Sequence, residues 1–197
     1  TDACTGTAPV CGPDGACAPC TAHAQCTASN VCLPDGACAD PADVAYVAAT
    51  GTGAACSFAQ PCPLLAAALA TNRPTIKIAA AGAAKATTTT VIDGKAVVIL
   101  ADHGAVLDRD GDGPILEIRS AGADVAIYDL HITGASGAAG ADGILLTSNG
   151  GVPAIALTRV TIDGNQGLGI SASGGALTVA QSSIASNAGG GIAVMNA

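Results

Sequence analysis

A repeat of 22 residues within the segment 161–197 constrains the fold more than any other feature of the sequence. The phrase Ile-x-x-Asn-x-Gly-x-Gly-Ile occurs twice there. Its five fixed residues all recur at the same interval, as Ile162 and Ile184, Asn165 and Asn187, Gly167 and Gly189, Gly169 and Gly191, and Ile170 and Ile192. Five matches at one spacing indicate a repeated structural unit, and periods of roughly 20–50 residues are typical of solenoids and related arrays.

Looser copies of the same unit come earlier in the chain. The segment that starts at Val125 aligns with the segments that start at Ile155 and Leu177. A second strand signal recurs at Ile115, Ile144, Ile170 and Ile192. Apolar residues alternate with other residues in each short run, which is the period of a β-strand. A short strand cannot bury its apolar face alone, whereas stacked turns of chain can, so the sequence predicts a parallel β-helix.

Asn165 and Asn187 are expected at the corners between strands of successive turns. Asn tolerates the left-handed backbone conformation of a sharp bend, and a repeated Asn can hydrogen-bond to the Asn or the backbone of the next turn. The Asn-x-Gly-x-Gly-Ile phrase resembles the repeats of the right-handed parallel β-helices of the pectate-lyase-like superfamily, over about residues 43–197. That superfamily includes polysaccharide lyases, glycoside hydrolases, adhesins and repeat proteins without known chemistry, so the resemblance implies a fold and leaves the function open.

Three regions are expected: a cysteine-rich disulfide module over 1–40, a strand-turn-helix cap over 41–75, and the β-helix rungs over 76–197. Pro61 and Pro63 stand where proline suits the first turn of a helix, just before the apolar stretch 64–70. This arrangement resembles the N-terminal cap of secreted β-helices, in which a short helix covers the first rung. All-β architecture with one short capping helix is therefore the predicted fold class.

Cysteine usage predicts an oxidising compartment, because seven of the nine cysteines lie in the first 38 residues. This favours a secreted, extracellular or cell-surface location. One unit contains Cys20, Cys26, Cys32 and Cys38, each six residues apart. The preceding Cys4, Cys11 and Cys17 match the last three cysteines of that unit, and both groups end in Pro-Asp-Gly-Ala-Cys. These units resemble short cysteine-rich repeats of secreted and surface-anchored bacterial proteins.

The first unit is expected to begin before Thr1, so that Cys4 or another of its cysteines lacks a partner in this chain. The alternative is a free thiol in a complete protein. The sequence leaves the connectivity of these seven cysteines open, whereas Cys56 and Cys62 flank one turn and are expected to pair with each other. A zinc site at the C-x-x-C of Cys17 and Cys20 has little support, since no second metal-binding pair follows at the required spacing.

The amino-acid composition limits the classes of partner that the protein can bind. A net charge of −8 disfavours nucleic acid, whose phosphates would be repelled over most of the surface. No run of about 18 apolar residues suggests a transmembrane segment. Aromatic residues, on which sugar-binding clefts commonly stack pyranose rings, make up 2% of the chain.

Asp108, Asp110 and Asp112, followed by Gly113, match the first half of a calcium loop, in which alternate carboxylates converge on one cation. The twelfth position of such a loop requires a bidentate Glu, but Arg119 stands there, so an EF-hand is not expected. A Ca²⁺ site in a corner loop and a solvated acidic turn remain the two interpretations.

No catalytic residue is predicted. A polysaccharide lyase needs a cation or an Arg to neutralise a uronate carboxylate, and a Lys, Arg, His or Tyr to remove the adjacent proton. The candidates for these two roles are Arg119, Arg159, His131 and Tyr128. Tyr128 and His131 are three residues apart and are expected on opposite faces of a regular strand, unless a bend interrupts the strand. His131 is expected to face outward or into a loop. A β-helix hydrolase would stack aspartates on adjacent rungs, but Asp129 aligns with Arg159 and Gln181.

The sequence disfavours an enzyme and favours a structural, adhesive or self-assembling protein. The alternative is an extracellular polysaccharide lyase or glycoside hydrolase with its catalytic rungs outside this chain.

The last rung is expected to be incomplete and uncapped. Either the chain is part of a longer protein, or its open edge is a surface for self-association into filaments, because unpaired strand edges recruit other chains. A cell-surface glycan is a further partner considered for the adhesive role.

Overall fold

The computed structural model describes residues 4–137 and 140–195. The chain forms two compact units, Thr1–Val44 and Ala45–Ala197. The first unit contains one antiparallel ribbon, β1 (Val10–Cys11) paired with β2 (Cys17–Ala18), and two short 3₁₀ helices, His23–Gln25 and Pro41–Asp43.

Three parallel sheets build the second unit. The first sheet contains six strands, in the spatial order β15 (Ala176–Ala180), β12 (Ala154–Thr158), β9 (Asp124–Tyr128), β6 (Ala96–Ala101), β4 (Thr75–Ile78) and β3 (Val44–Val47). The second contains five strands, in the order β17 (Gly190–Met195), β14 (Leu168–Ser173), β11 (Ile144–Thr147), β8 (Leu116–Arg119) and β5 (Thr90–Asp93). The third contains four strands, in the order β16 (Ser183–Ile184), β13 (Thr161–Asp163), β10 (His131–Thr133) and β7 (Val106–Leu107).

Each turn of chain contributes successive strands to successive sheets, and each strand pairs with its equivalent in the next turn. Strands β9, β10 and β11 pair in parallel with β12, β13 and β14, respectively. The predicted all-β parallel β-helix is therefore confirmed as a β-solenoid with a disulfide-rich N-terminal region. Membership of the pectate-lyase-like superfamily stays a prediction.

The repeat alignment is correct at the rungs that carry the 22-residue phrase. Ile162 pairs with Ile184, and Ile170 pairs with Ile192. The alignment is wrong by one residue further back, because Ile144 pairs with Leu116 and not with Ile115. Both candidates are buried, so apolar character could not distinguish them. A shift of one residue would turn every side chain of the strand to its other face.

The core consists of columns of identical or similar side chains that run along the stack. One column contains Leu116, Ile144 and Ile170, all fully buried. Full burial of such a side chain stabilises the fold by about 1.5–3 kcal/mol relative to exposure. Repetition of these columns on all three sheets gives the solenoid a continuous interior.

The described residues contain one short α-helix, α1 (Leu65–Ala70), which lies beside β5. Leu64 is its N-cap, and three of its residues enter the solenoid core: Leu65, Ala68 and Leu69. The helix therefore covers part of the first turn, where the five-stranded sheet has no preceding strand. None of the described helices has the length and apolar character that a membrane span requires.

Candidate functional site

The two corner asparagines form a buried hydrogen-bonded ladder. Asn165 is 1% exposed, its Oδ1 accepts from the Ala135 N–H at 2.9 Å, and its Nδ2 donates to Asn187 Oδ1 at 2.8 Å. Asn187 Nδ2 in turn donates to the Ile162 carbonyl oxygen at 3.0 Å. Each amide therefore satisfies backbone groups of its own corner and of its neighbour, which makes these residues structural corner clamps.

Glycines in the same phrase leave room for this ladder. A Cβ on Gly169 would lie 2.4 Å from Ile184 Cγ2 and 2.8 Å from Asn187 Nδ2. A Cβ on Gly143, one turn earlier, would meet Ile162 Cγ2 at 2.6 Å and Asn165 Nδ2 at 3.1 Å. Neither glycine has a positive φ, so their requirement is steric: the next turn occupies the space of a side chain.

The acidic segment 108–112 lies between β7 and β8, and its three carboxylates have different surroundings. Asp108 Oδ2 pairs with Lys85 Nζ at 2.8 Å, while Asp110 lies 3.6 Å from the same amine and is 72% exposed. Asp112 forms a parallel bridge with Ser136 of the next turn. Hydrogen bonding to Asp108 is the largest cause that raises the pKa of Lys85. In the part of the chain that the structure describes, the groupings of three or more potential metal ligands are two clusters of cysteines, so the Ca²⁺ site at this loop stays a prediction.

Arg109 turns inward from this acidic segment and is 5% exposed. Its Nη1 donates to Thr89 Oγ1 at 2.6 Å and to the Pro114 carbonyl, and its Nη2 donates to the Asp112 carbonyl. Arg109 and Lys85 together supply positive charge to a loop with three carboxylates. A divalent cation would enter a site that already contains this charge, which weakens the attraction of the loop for the ion.

Positive charge in the solenoid is used mainly between turns. Six of the seven basic side chains contact a group at least 20 residues away in sequence, and the seventh, Arg73, donates to the Cys56 carbonyl. Those six contacts are Lys77 with Asp102, Lys85 with Asp108, Lys95 with the Leu69 carbonyl and Asn72, Arg109 with Thr89, Arg119 with Asp93, and Arg159 with Asp129.

The pKa directions of the two arginines among the lyase candidates argue against proton abstraction. A hydrogen bond to Asp93 is the largest cause that raises the pKa of Arg119, and a hydrogen bond to Asp129 does the same for Arg159. A general base must lose its proton near the working pH, so a raised pKa moves each guanidinium away from that role. Both arginines are instead anchored in exposed ion pairs.

Tyr128 and His131 share the outer face, because a bend interrupts the strand between them. Asp129 between them adopts a left-handed conformation with φ of 60°, and this bend ends β9 before β10 begins. Val125 and Ile127 of β9 point into the core, as does Ile132 of β10, and the two candidates alternate with them. The opposite-face arrangement of a regular strand therefore does not apply to this pair.

The same left-handed corner recurs in successive turns at Asp129, Arg159 and Gln181, with φ of 60°, 55° and 52°. Sequence reasoning missed this corner, since only Asp129 of the three belongs to the residue types (Gly, Asn and Asp) that commonly adopt this conformation. Arg159 forms a bidentate pair with Asp129, with N–O distances of 2.6 and 2.7 Å, and its guanidinium carbon lies 6.0 Å from the centre of the Tyr128 ring.

His131 and Asp163 form a second contact that the sequence alignment did not predict. His131 is in register with Thr161, and Asp163 lies diagonally from it on the neighbouring strand. His131 Nε2 is 2.8 Å from Asp163 Oδ1, and about a third of each side chain is exposed. A histidine oriented by a carboxylate can accept or deliver a proton, so this pair is the most chemically capable grouping among the former enzyme candidates.

Disulfides join Cys4 to Cys17, Cys20 to Cys32, Cys26 to Cys38, and Cys56 to Cys62. Cys17 and Cys20, the C-x-x-C pair, belong to different disulfides, so their sulfurs do not form a thiolate pair for zinc. Cys11 is exposed and is the one free cysteine among the described residues.

Comparisons with protein-family models, curated proteins and solved structures gave no match for this chain. The class of the protein therefore follows from its own architecture. It is a parallel β-solenoid preceded by a small unit with three disulfides.

Proposed function

We propose that the chain is a secreted or surface-displayed, non-catalytic protein whose solenoid has a structural role in adhesion or self-assembly. The observation that carries this proposal is the engagement of all seven Lys and Arg side chains by other groups of the chain, six of them across distant segments. Charges fixed in this way hold adjacent turns together. They are less free to neutralise a substrate carboxylate, which a polysaccharide lyase requires.

The four disulfides support the proposed location outside the cytosol, because disulfides persist in oxidising environments. A cell-surface glycan is the partner that we propose for an adhesive role. Tyr46 is buried against the ring of Phe58, with centroids 5.2 Å apart, and Tyr128 lies under Arg159. Glycan binding would therefore depend on the ring of Phe58, which is 55% exposed, and on polar side chains of the outer face.

Self-association has support at strand β17. Ile192 and Val194 continue the columns of Ile170 and Ala172, which are buried, but they are 46% and 64% exposed. We propose a second copy of the chain as the occupant of this surface. Removal of such apolar area from water is favourable by about 25 cal/mol per Å².

The self-association proposal is tested by sedimentation velocity over a range of protein concentrations. Association is expected to weaken at least about tenfold in Val194→Lys, which corresponds to about 1.4 kcal/mol. Val152→Lys is the matched control, because Val152 is 71% exposed and lies outside the strands of the solenoid. A wild-type chain that stays monomeric, or an equal effect in both variants, would contradict self-association through β17.

An extracellular polysaccharide-degrading enzyme is the second candidate, and the His131–Asp163 pair is the observation that favours it. The test incubates the unreduced protein with uronate-containing polysaccharides, with and without Ca²⁺, and follows the ultraviolet absorbance of unsaturated products and the release of reducing ends. No turnover is expected under the structural proposal. Turnover that is lost in His131→Ala and kept in His103→Ala, a change at an exposed turn histidine, would replace the structural proposal with the enzyme.

A further inference from the structure

The two halves of the N-terminal unit contain the same hairpin. In the first half, Gly12 N donates to Ala16 O at 2.8 Å and Gly15 N donates to Gly12 O at 3.0 Å. In the second half, Leu33 N donates to Ala37 O at 2.8 Å, and Gly36 N donates to Leu33 O at 2.9 Å. These matched bonds show that the repeated Pro-Asp-Gly-Ala-Cys phrase is also a structural repeat.

The aspartate of each hairpin has the same role. Asp14 Oδ1 accepts from the Ala16 N–H at 3.1 Å, and Asp35 Oδ1 accepts from the Ala37 N–H at 3.0 Å. The equivalence therefore extends from the backbone to the side chain that closes the turn, which allows the cysteines to be matched by structure.

The matching is made by register. Cys11 lies opposite Cys17 in the first hairpin, and Cys32 lies opposite Cys38 in the second, both antiparallel. Cys11 is thus the counterpart of Cys32, and Cys17 is the counterpart of Cys38.

Cys17 and Cys38 form equivalent disulfides, whereas Cys11 and Cys32 differ in their bonding. Cys17 is bonded to a cysteine 13 residues earlier, and Cys38 to one 12 residues earlier. Cys32 is bonded to Cys20, 12 residues earlier, whereas its counterpart Cys11 is free. A complete unit therefore joins its first cysteine to its third and its second to its fourth, and the first half contains only the second of these bonds.

We propose that Cys11 is a disulfide-forming site for a thiol in the position of the first cysteine of its own unit. Cys20 lies six residues before Cys26, so the partner thiol belongs about six residues before Cys4. The bond would close the first half in the same way that Cys20–Cys32 closes the second.

Formation of this bond requires an oxidant, for which we name a low-molecular-weight or protein disulfide, such as glutathione disulfide. The Cys11 thiolate attacks one sulfur of the oxidant and displaces its other sulfur as a thiolate. The partner thiolate then attacks the Cys11 sulfur of the mixed disulfide and releases the second thiolate. Two thiols lose two electrons and two protons in total, and the oxidant is reduced to two thiols.

The location of Cys11 favours this reaction and also a competing exchange with the Cys4–Cys17 disulfide. Cys11 is exposed, so a partner and an oxidant can reach it. The sulfurs of Cys4, Cys11 and Cys17 all lie within 4.8 Å of one another. A Cys11 thiolate is therefore also placed to attack the Cys4–Cys17 bond and exchange with it. A bond from Cys11 to its own partner would remove this competing reaction.

The test places a cysteine at this position of the full chain. An N-terminal extension copied from residues 18–22 places a cysteine six residues before Cys4. The protein is oxidised with a glutathione redox buffer, free thiols are alkylated, and disulfides are mapped by mass spectrometry of unreduced peptides. We expect the added cysteine to bond to Cys11, with Cys4–Cys17 retained and the free thiol of each chain lost.

Two matched controls accompany this experiment. An extension with serine in place of its cysteine should leave Cys11 open to alkylation, and Cys11→Ser should leave the added cysteine open. The Cys20–Cys32 and Cys26–Cys38 peptides in the same digest report whether the second half has folded. With those peptides intact, the proposal is overturned by an added cysteine that stays free, by its bonding to Cys4 or Cys17, or by a covalent dimer through Cys11 of two copies.

Discussion

The two units of this chain maintain their folds by different means. In residues 4–44, the described part of the first unit, the buried apolar residues are few, namely Cys20, Cys26, Val31, Ala39 and Val44, and three disulfides join the segments. The solenoid instead has a continuous apolar core and one disulfide, Cys56–Cys62. A segment of about 40 residues is too small to build a sufficient core and needs covalent links, whereas a stacked repeat gains core with every added turn.

Reduction of the disulfides should produce the largest difference in stability between the two units. Each of the three N-terminal disulfides closes a loop whose two cysteines are 12 or 13 residues apart in sequence. Loss of each such loop costs about 3 kcal/mol on the chain-entropy account. Hydrogen exchange followed by mass spectrometry is expected to show loss of protection in 4–44 after reduction, with protection kept in the strands of the solenoid. Equal loss in both units would show that the solenoid core depends on the disulfides.

Truncation of a stacked core side chain should have the next largest effect. Ile144 lies between Leu116 and Ile170 and is fully buried. Ile144→Ala is expected to lower the free energy of unfolding by about 2–5 kcal/mol, because it leaves a cavity that the column cannot close. Urea denaturation measures the change, with Val152→Ala at an exposed position as the control. A small cost at Ile144 would mean that neighbouring turns move in to fill the cavity.

Removal of the corner amide should follow. Asn165→Ala leaves the Ala135 N–H without its acceptor and Asn187 Oδ1 without one of its donors. A loss of about 1–3 kcal/mol is expected, since a buried polar group without a partner costs that much. Asn149→Ala, at an exposed turn, is the matched control. Similar midpoints of urea unfolding for the two variants would argue against the ladder as a stabilising element.

The glycines of the repeat give a comparison within a single motif. Gly169→Ala places a Cβ against Ile184 and Asn187, whereas a Cβ on Gly191 meets only the Ile184 carbonyl oxygen at 3.5 Å. Overpacking at Gly169 is expected to cost about 1–3 kcal/mol. Thermal unfolding of both variants should show a lowered midpoint for Gly169→Ala and a near-unchanged midpoint for Gly191→Ala. The reverse order would refute the steric explanation of the repeat.

The smallest effect is expected at the exposed ion pairs. Asp129→Asn removes the charged partner of Arg159, and exposed pairs of this kind contribute about 0.2–1 kcal/mol. The difference from wild type should shrink in high salt, since salt screens exposed charges. Thermal unfolding at low and high ionic strength measures it, with Asp124→Asn as a control at an exposed strand residue. A larger loss that salt does not change would indicate that the bend at Asp129, rather than its charge, is affected.

The quality of the sequence reasoning differed between regions for a physical reason. The register of the 22-residue phrase was predicted correctly because Ile162 and Ile170 are the apolar anchors of strands with short, equal loops. The register failed at Ile115 because two adjacent buried apolar residues give no alternation to read. The outward position of His131 was expected, but its shared face with Tyr128 could not be fixed from the sequence, because the left-handed residue Asp129 interrupts the strand between them.

Period and cysteine spacing, which are local properties of the sequence, determined the solenoid, the disulfide-rich front and the corner asparagines. The contacts of charged side chains across turns were decided only by the tertiary structure. His131 meets Asp163 over 32 residues, Arg159 meets Asp129 over 30, and Lys85 meets Asp108 over 23. Loop lengths vary from turn to turn, so the number of residues between two side chains does not predict whether they become neighbours on adjacent turns. Parallel pairing sets adjacent strands about 4.8 Å apart, and that spacing brings these distant residues within reach of one another.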